Sequence, residues 1–355
     1  MKKRFGWNSA YAVTILLWLV MCYLAWNFGY EVGKASVGGE LERSDRTARR
    51  QGNNYNGSKL LPQGDKAAKL EERFPRPCQR VGDGTSQIVI FNTIPKCGGR
   101  TILSLTFALK QSLKVNIKSA LNFSLEGSSN VKVLGYMNRV FSNLPSPGFI
   151  YTNTRLVALQ TIPSRVPVRI GLIRDPMQRL VSAFYHARFG DRMSASAVDD
   201  ETWQKQLQKN HKNISESFDD CVKSKSSECL GEETKGALVK QFCGYDTVCS
   251  TASPAALLRA KENVKNHYLL VGVLEEIDDF VRVLEKLVPS VFSGGFHTLE
   301  NDKRVQSVIA NSRTIGVESV SEQTKGIIKK HLSLDFEFYY FIQWRFMKQK
   351  EACGY

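Results

Sequence analysis

The chain has 355 residues, 42% of them apolar and 23% charged. These are globular proportions, and they exclude a chain too short or too polar to bury a large core; one large domain with appendages is the expectation. The formal net charge of +15 calls for a polyanionic partner: a nucleic acid, an anionic membrane or an acidic polysaccharide.

The N-terminus chooses among compartments. Lys2, Lys3 and Arg4 precede an apolar run, AYAVTILLWLVMCYLAWNF, from Ala10 to Phe28. Its length suits a hydrocarbon core about 30 Å thick. It exceeds the apolar segment of a cleaved signal peptide, and no A-x-A site follows. Residues 1–9 therefore read as a cytoplasmic tail and 10–29 as a transmembrane signal anchor, because positive charge before the span stays cytoplasmic. The rest of the chain is then lumenal or extracellular, a type II topology that keeps the basic surface away from nucleic acid. Residues 30–84, rich in Gly, Ser, Arg, Asn and Gln, read as a flexible stem, with Arg43, Arg46, Arg49 and Arg50 as a solvated charge run. Residues 85–355 form the globular domain.

Cysteine usage fits an oxidising compartment. Cys22 lies in the apolar run. Cys221 with Cys229, and Cys243 with Cys249, are spaced too widely for zinc-binding pairs and suit two local disulfides. No metal site is expected. Cys78 and Cys353, near the two ends of the folded part, are a candidate third pair. Asn56, Asn122 and Asn213 head glycosylation sequons.

The globular part opens with Ile88-Val89-Ile90-Phe91, a strand-like run leading into Pro95-Lys96-Cys97-Gly98-Gly99-Arg100-Thr101 and then a helical pattern to about Leu113. Strand, glycine-rich turn and helix in that order make an anion cradle. The glycines admit close approach of a ligand, and the first-turn N–H groups and helix dipole face it. Lys96 adds charge and Thr101 a hydroxyl. The loop is not a Walker A motif. Cys97, beside Lys96 and a helix N-terminus, has the setting of an activated thiol nucleophile.

A mixed segment follows to Pro147, then strand-like pieces at Phe149–Thr152 and Val157–Leu159. The next informative stretch is PVRIGLIRDPMQRLVSAFYHARFGD, from Pro167 to Asp191. An apolar strand ends at Arg174; Asp175 is a helix N-cap, Pro176 suits the first turn, and the helix stops at Gly190. Leu180, Phe184 and Ala187 supply its apolar face. Residues 191–220 read as a polar insertion, 254–266 as an amphipathic helix, His267–Val273 as a strand, and Glu276–Val288 as a helix ended by Pro289. Ser293–Ser321 reads as loop. Ile327–Lys348 is helical, with Phe336, Tyr340 and Trp344 at i, i+4, i+8 as a core stripe. Strands alternating with helices predict a three-layer α/β fold with a mostly parallel sheet, and such sheets bind ligands at the carboxyl ends of strands.

Both special stretches sit at such ends. Lys96, Arg100 and the loop amides can hold one anionic group. Arg174 can hold a second with Ser182, two turns along the same helix; a simple cap and ion pair at Arg174-Asp175 is the plainer alternative. Two anion sites at adjacent strand ends point to a nucleotide with phosphates at both ends of the ribose.

Taken together, FNTIPKCGGRT, IRDPMQRLVSAFYHARFGD, the cysteine pair at 221 and 229, FCGYDTVC, AKENVKNHYLLVGVLEEIDDFVRVLE and the EFYYF run resemble the uronyl and heparan sulfate 2-O-sulfotransferase family. These are Golgi enzymes that use phosphoadenosine phosphosulfate (PAPS), and the resemblance covers about residues 87–345 in order. It implies a P-loop-like sulfotransferase fold and sulfuryl transfer without a metal to a hydroxyl, the 2-O of a uronic acid, in a glycosaminoglycan such as heparan, dermatan or chondroitin sulfate. It implies that Lys96, with Cys97, Gly98, Gly99, Arg100 and Thr101, holds the 5′ phosphosulfate and stabilises the leaving oxygen. Arg174 and Ser182 would hold the 3′-phosphate, and Arg188 and Asp191 would lie near the acceptor sugar. Relatives also imply a homo-oligomer. Two departures stand out: Thr93 replaces a basic residue, and Thr154 or Leu156 falls where the family carries its histidine base. His186, on the helix after Arg174, or a carboxylate such as Asp191, is then the candidate base. An inactive protein that binds PAPS or acidic glycan is the alternative; a lumenal kinase lacks its motifs.

Overall fold

The computed structural model describes residues 78–80, 87–121, 130–157, 159, 167–191, 205 and 215–355. The apolar run at 10–29, Cys22, the sequons at Asn56, Asn122 and Asn213, and the stem apart from 78–80 lie outside the described residues. Among the described residues no helix is long and apolar enough to cross a membrane. A compact unit runs from Pro77 to Tyr355. A disulfide between Cys78 and Cys353 closes it, with Cα atoms 5.0 Å apart. Cys221–Cys229 and Cys243–Cys249 are both bonded.

Five strands form one parallel sheet: β1 (Ile88–Asn92), β2 (Asn116–Ser119), β3 (Gly148–Thr152), β4 (Pro167–Ile173) and β5 (Tyr268–Val273), in the order β2-β3-β1-β4-β5. The helices are α1 (Gly99–Leu113), α2 (Asn130–Asn143), α3 (Pro176–Phe189), α4 (Phe218–Lys223), α5 (Ser227–Leu230), α6 (Ala237–Cys243), α7 (Pro254–His267), α8 (Ile277–Leu287), α9 (Pro289–Phe292), α10 (Gly295–Asn301), α11 (Lys303–Asn311), α12 (Glu322–His331) and α13 (Ser333–Ala352). Every residue of β1 is buried, as a central parallel strand covered on both faces requires. The alternation sorts its side chains: Val89 and Phe91 join the larger core, Ile88 and Ile90 a second cluster under α2. Gly171 of β4 and Gly272 of β5 point to opposite faces, one beneath Phe242 of α6 and the other beneath Phe280 of α8, so helices cover both sides. The three-layer α/β expectation is met.

Several local readings are corrected. Val157 and Leu159 are buried but belong to no strand, and the mixed segment before Pro147 holds β2 and α2. The stretch read as loop from Ser293 contains α10 and α11. In α3, Leu180 and Phe184 are buried but Ala187 is exposed; Val181, Tyr185 and Arg188 complete the buried face. In α13, Tyr340 is 58% and Trp344 44% exposed, and the core stripe is Phe338, Ile342 and Phe346. That helix carries aromatics all round, so periodicity offered two stripes and packing against Phe242 and Phe280 chose between them.

Candidate functional site

The sheet order makes the site. The connection from β3 to β4 crosses over β1, so β1 and β4 are hydrogen-bonded neighbours on the reversing side of the sheet, where α/β folds bind ligands. The residues after both strands are thereby brought together: Arg174 Nη1 donates to the Lys96 carbonyl at 3.4 Å, and its Nη2 donates to Gln178 Oε1 at 3.3 Å. Lys96 has φ 69°, a left-handed conformation that costs a non-glycine residue about 1–2 kcal/mol. Burial is the main cause that brings the Lys96 ammonium down to about 8; Arg100 and Arg174 push the same way, and Asp191 opposes them.

Gly98 caps α1 with φ 77° and no described side chain caps the helix; the Thr101 N–H turns back to the Gly98 carbonyl at 3.1 Å, which leaves the Gly99 and Arg100 N–H groups and the dipole beside Lys96. The tightness of the two glycines is internal. A Cβ on Gly98 would lie 2.5 Å from Leu274 Cδ1, and one on Gly99 would lie 2.2 Å from Thr93 Oγ1 and 2.8 Å from the Tyr151 hydroxyl. Thr93 thus packs against the loop. Thr101 is buried in the first turn.

Cys97 is not a nucleophile. Its side chain is 1% exposed in the main core, and burial pushes the thiol up to about 12. It serves the loop through its backbone.

The other half of the site hangs from the C-terminal end of α3. Asp175 caps that helix at its start, accepting from the Gln178 N–H, and Gly190 ends it with φ 65°. Asp191 follows, wholly buried, and its Oδ2 accepts from Arg100 Nη1 at 2.5 Å and lies 3.1 Å from His186 Nε2. Lys96, Arg100, His186 and Asp191 therefore form one charged cluster spanning the loop, α1 and α3. Burial is the main cause that lowers His186 from its ordinary range, with Lys96 and Arg100 adding to it and the Asp191 hydrogen bond opposing.

Arg188 is turned into the fold. It is 1% exposed, stacks on Phe184 with its guanidinium 3.5 Å from the ring centroid, and donates to both Glu216 and Glu228. Its charge is consumed inside the fold. Glu216, Cys221 and Glu228 also come close enough to one another to be tested as metal ligands, but Cys221 is disulfide-bonded and both carboxylates serve Arg188.

Ser182 is 5% exposed and shares a 2.8 Å hydrogen bond with the Thr314 hydroxyl. Thr314 was not singled out in sequence. It lies in the segment after α11, which is tied back to α3 by a backbone bridge between Asp191 and Thr314 and by the Ile315 N–H donating to the Gly190 carbonyl at 3.2 Å. Only its hydroxyl and the neighbouring Arg313 hinted at a role. Thr154 is 4% exposed with its Oγ1 3.2 Å from Thr152 Oγ1, and Leu156 is buried.

The Sulfotransferase family model matches residues 84–341. Heparan sulfate 2-O-sulfotransferase 1 of Homo sapiens is 27% identical over 247 residues, covering 66% of this chain and 65% of that protein. The Xenopus laevis protein of the same name is 28% identical over 231 residues, 63% of this chain and 61% of that one. Uronyl 2-sulfotransferase of Mus musculus is 26% identical over 286 residues, 80% of this chain and 68% of that protein. The chain thus spans a little under two thirds of the length of the heparan sulfate relatives.

Proposed function

Because the chain belongs to the sulfotransferase family, we propose that it transfers a sulfuryl group from PAPS to a hydroxyl of a glycosaminoglycan, the 2-hydroxyl of a uronic acid in a heparan, dermatan or chondroitin chain. The carrying observation is the meeting of Lys96, Arg174 and the uncapped start of α1 at the carboxyl ends of β1 and β4. Uncapped N–H groups, a desolvated ammonium and a guanidinium anchored, among the described residues, by a carbonyl and an amide oxygen are what a phosphate-rich donor needs.

PAPS supplies an activated sulfuryl group on a phosphate leaving group; the remaining tasks fall to this chain. Lys96 and the amides at the start of α1 hold the 5′ end and stabilise charge developing on the departing oxygen. Arg174 and the Ser182–Thr314 hydroxyl pair take the 3′-phosphate. The net charge of +15 draws in an acidic polysaccharide. The disulfides favour a secretory compartment, so the protein is placed in this reading as a Golgi type II membrane protein anchored by residues 10–29, with residues 85–355 lumenal.

The test incubates the full-length protein in detergent with labelled PAPS and desulfated heparan, dermatan or chondroitin. Incorporation into uronic acid is expected, and Lys96→Ala lowers it by roughly 10²–10³-fold. Protein that binds the product nucleotide, adenosine 3′,5′-bisphosphate, yet labels none of the three glycans would overturn the reading in favour of an inactive binder.

A further inference from the structure

Sulfuryl transfer to a hydroxyl needs a group that takes the hydroxyl proton. Neither Thr154 nor Leu156 titrates in the useful range. Among the groups around the Lys96 loop, Cys97 is sealed in the core. Glu275 is occupied by the Asp175 N–H at 2.9 Å and the Tyr339 hydroxyl at 3.2 Å. Asp191 is buried and accepts from Arg100 and His186. Among the described residues that leaves His186, whose side chain keeps 25% of its surface open.

We propose that His186 is the general base of this chain and that Asp191 is its positioning residue, His186 Nε2 lying 3.1 Å from Asp191 Oδ2. This rests on the sulfotransferase reading above. A carboxylate only accepts, so the proton between them sits on Nε2 and the lone pair is left on Nδ1. Asp191 is itself held by the backbone bridge to Thr314 and by Arg100, which fixes the imidazole in that tautomer.

The step balances on these atoms. The acceptor oxygen forms a bond to sulfur while its proton passes to His186 Nδ1. The bond from sulfur to the bridging oxygen breaks, and its electron pair leaves with the phosphate beside Lys96. The imidazolium that results is stabilised by Asp191 and by its place in the last turn of α3, the negative end of that helix.

Among the described residues, the charged groups facing the ring are Lys96 from the loop after β1, Arg100 from α1 and Asp191 from the segment after α3. Burial and the two cations outweigh Asp191, so His186 is neutral and able to accept at pH 7. Activity then requires neutral His186 and charged Lys96. In kcat/KM, which reports the free enzyme, the acid limb falls below the ordinary histidine value of about 6.5, and the alkaline limb lies near 8 as Lys96 loses its proton.

The experiment compares wild type, His186→Gln, His186→Ala and Asp191→Asn as full-length proteins. Expected are a fall in kcat of about 10²–10⁴-fold for both His186 variants, unchanged affinity for adenosine 3′,5′-bisphosphate by calorimetry, and partial rescue of His186→Ala by added imidazole. A readout independent of turnover is the pH dependence of carbethoxylation of His186 by diethyl pyrocarbonate, followed by mass spectrometry. It should give a midpoint below 6.5, moved lower still in Asp191→Asn because the proton acceptor that favours imidazolium is gone. Nucleotide binding separates a folding failure from a chemical one. His186→Gln with kcat within threefold of an active wild type would remove the base alone. A midpoint that Asp191→Asn leaves in place would overturn the positioning role of Asp191. A wild type that labels no glycan removes the sulfotransferase reading, and the base with it.

Discussion

The two ends of α3 carry similar letters, Arg174-Asp175 at the start and Arg188 with Asp191 at the finish, and they do opposite things. Arg174 is half-buried and its neighbours are a carbonyl and an amide oxygen, neither of which neutralises it. Arg188 is sealed between two carboxylates and an aromatic ring. A guanidinium anchored by neutral acceptors keeps its charge for a ligand, whereas one paired with carboxylates in the interior holds elements together. Here it ties α3 to α5 and to the segment before α4. Asp175 and Asp191 divide in the same way: one caps a helix in solvent, the other is buried and organises Arg100 and His186.

This contrast can be broken experimentally. The largest effect is expected from Arg188→Ala, which strands two carboxylates: a loss of about 3 kcal/mol in stability, read by urea unfolding, with nucleotide affinity unchanged in the folded protein. Arg174→Ala should do the reverse, weakening adenosine 3′,5′-bisphosphate by about 10–100-fold in calorimetry, equivalent to roughly 1.5–3 kcal/mol for a charged hydrogen bond, with little change in the unfolding midpoint. If both variants lose stability and neither loses affinity, the division between the two ends of α3 is wrong. Gly99→Ala forces a Cβ into Thr93 and Tyr151 and should cost about 1–3 kcal/mol in thermal unfolding. Pairing it with Thr93→Ser, which trims a methyl but keeps the clashing hydroxyl, should relieve little. The smallest effect belongs to Thr314→Val, which removes one hydroxyl from Ser182 and should reduce nucleotide affinity by a few fold, about 0.5–1.5 kcal/mol.

The two strand-end loops were readable because their parts are local. An apolar run, a Gly-Gly turn and a helix lie within Ile88–Leu113, and a strand, a cap and Pro176 lie within Pro167–Phe189. Their physics needs no distant partner. The far end of α3 and the partners of Ser182 depended on contacts far apart in sequence. Ala187 looked like the inward position of α3, but Arg188 is the buried one because Glu216 and Glu228, 28 and 40 residues away, come to meet it. Thr314 reaches Ser182 across 132 residues. On α13 either aromatic stripe satisfied helical periodicity, and only Phe242 and Phe280 decided which turned inward.

By itself, then, the sequence determined the α/β class, the strand–loop–helix units that end in Lys96 and Arg174, and the cysteines of the two short disulfides, because hydrophobic period, glycine and proline act within a few residues of themselves. The tertiary structure decided that β1 and β4 are neighbours, which is what brings two separate loops together at Lys96 and Arg174. It also decided that Cys97 is inert, that Arg188 is structural, and that His186 leans on Asp191. Each of those depends on burial or on a charge brought from elsewhere in the chain, and the energy of a side chain's charge is set by its surroundings rather than by its name.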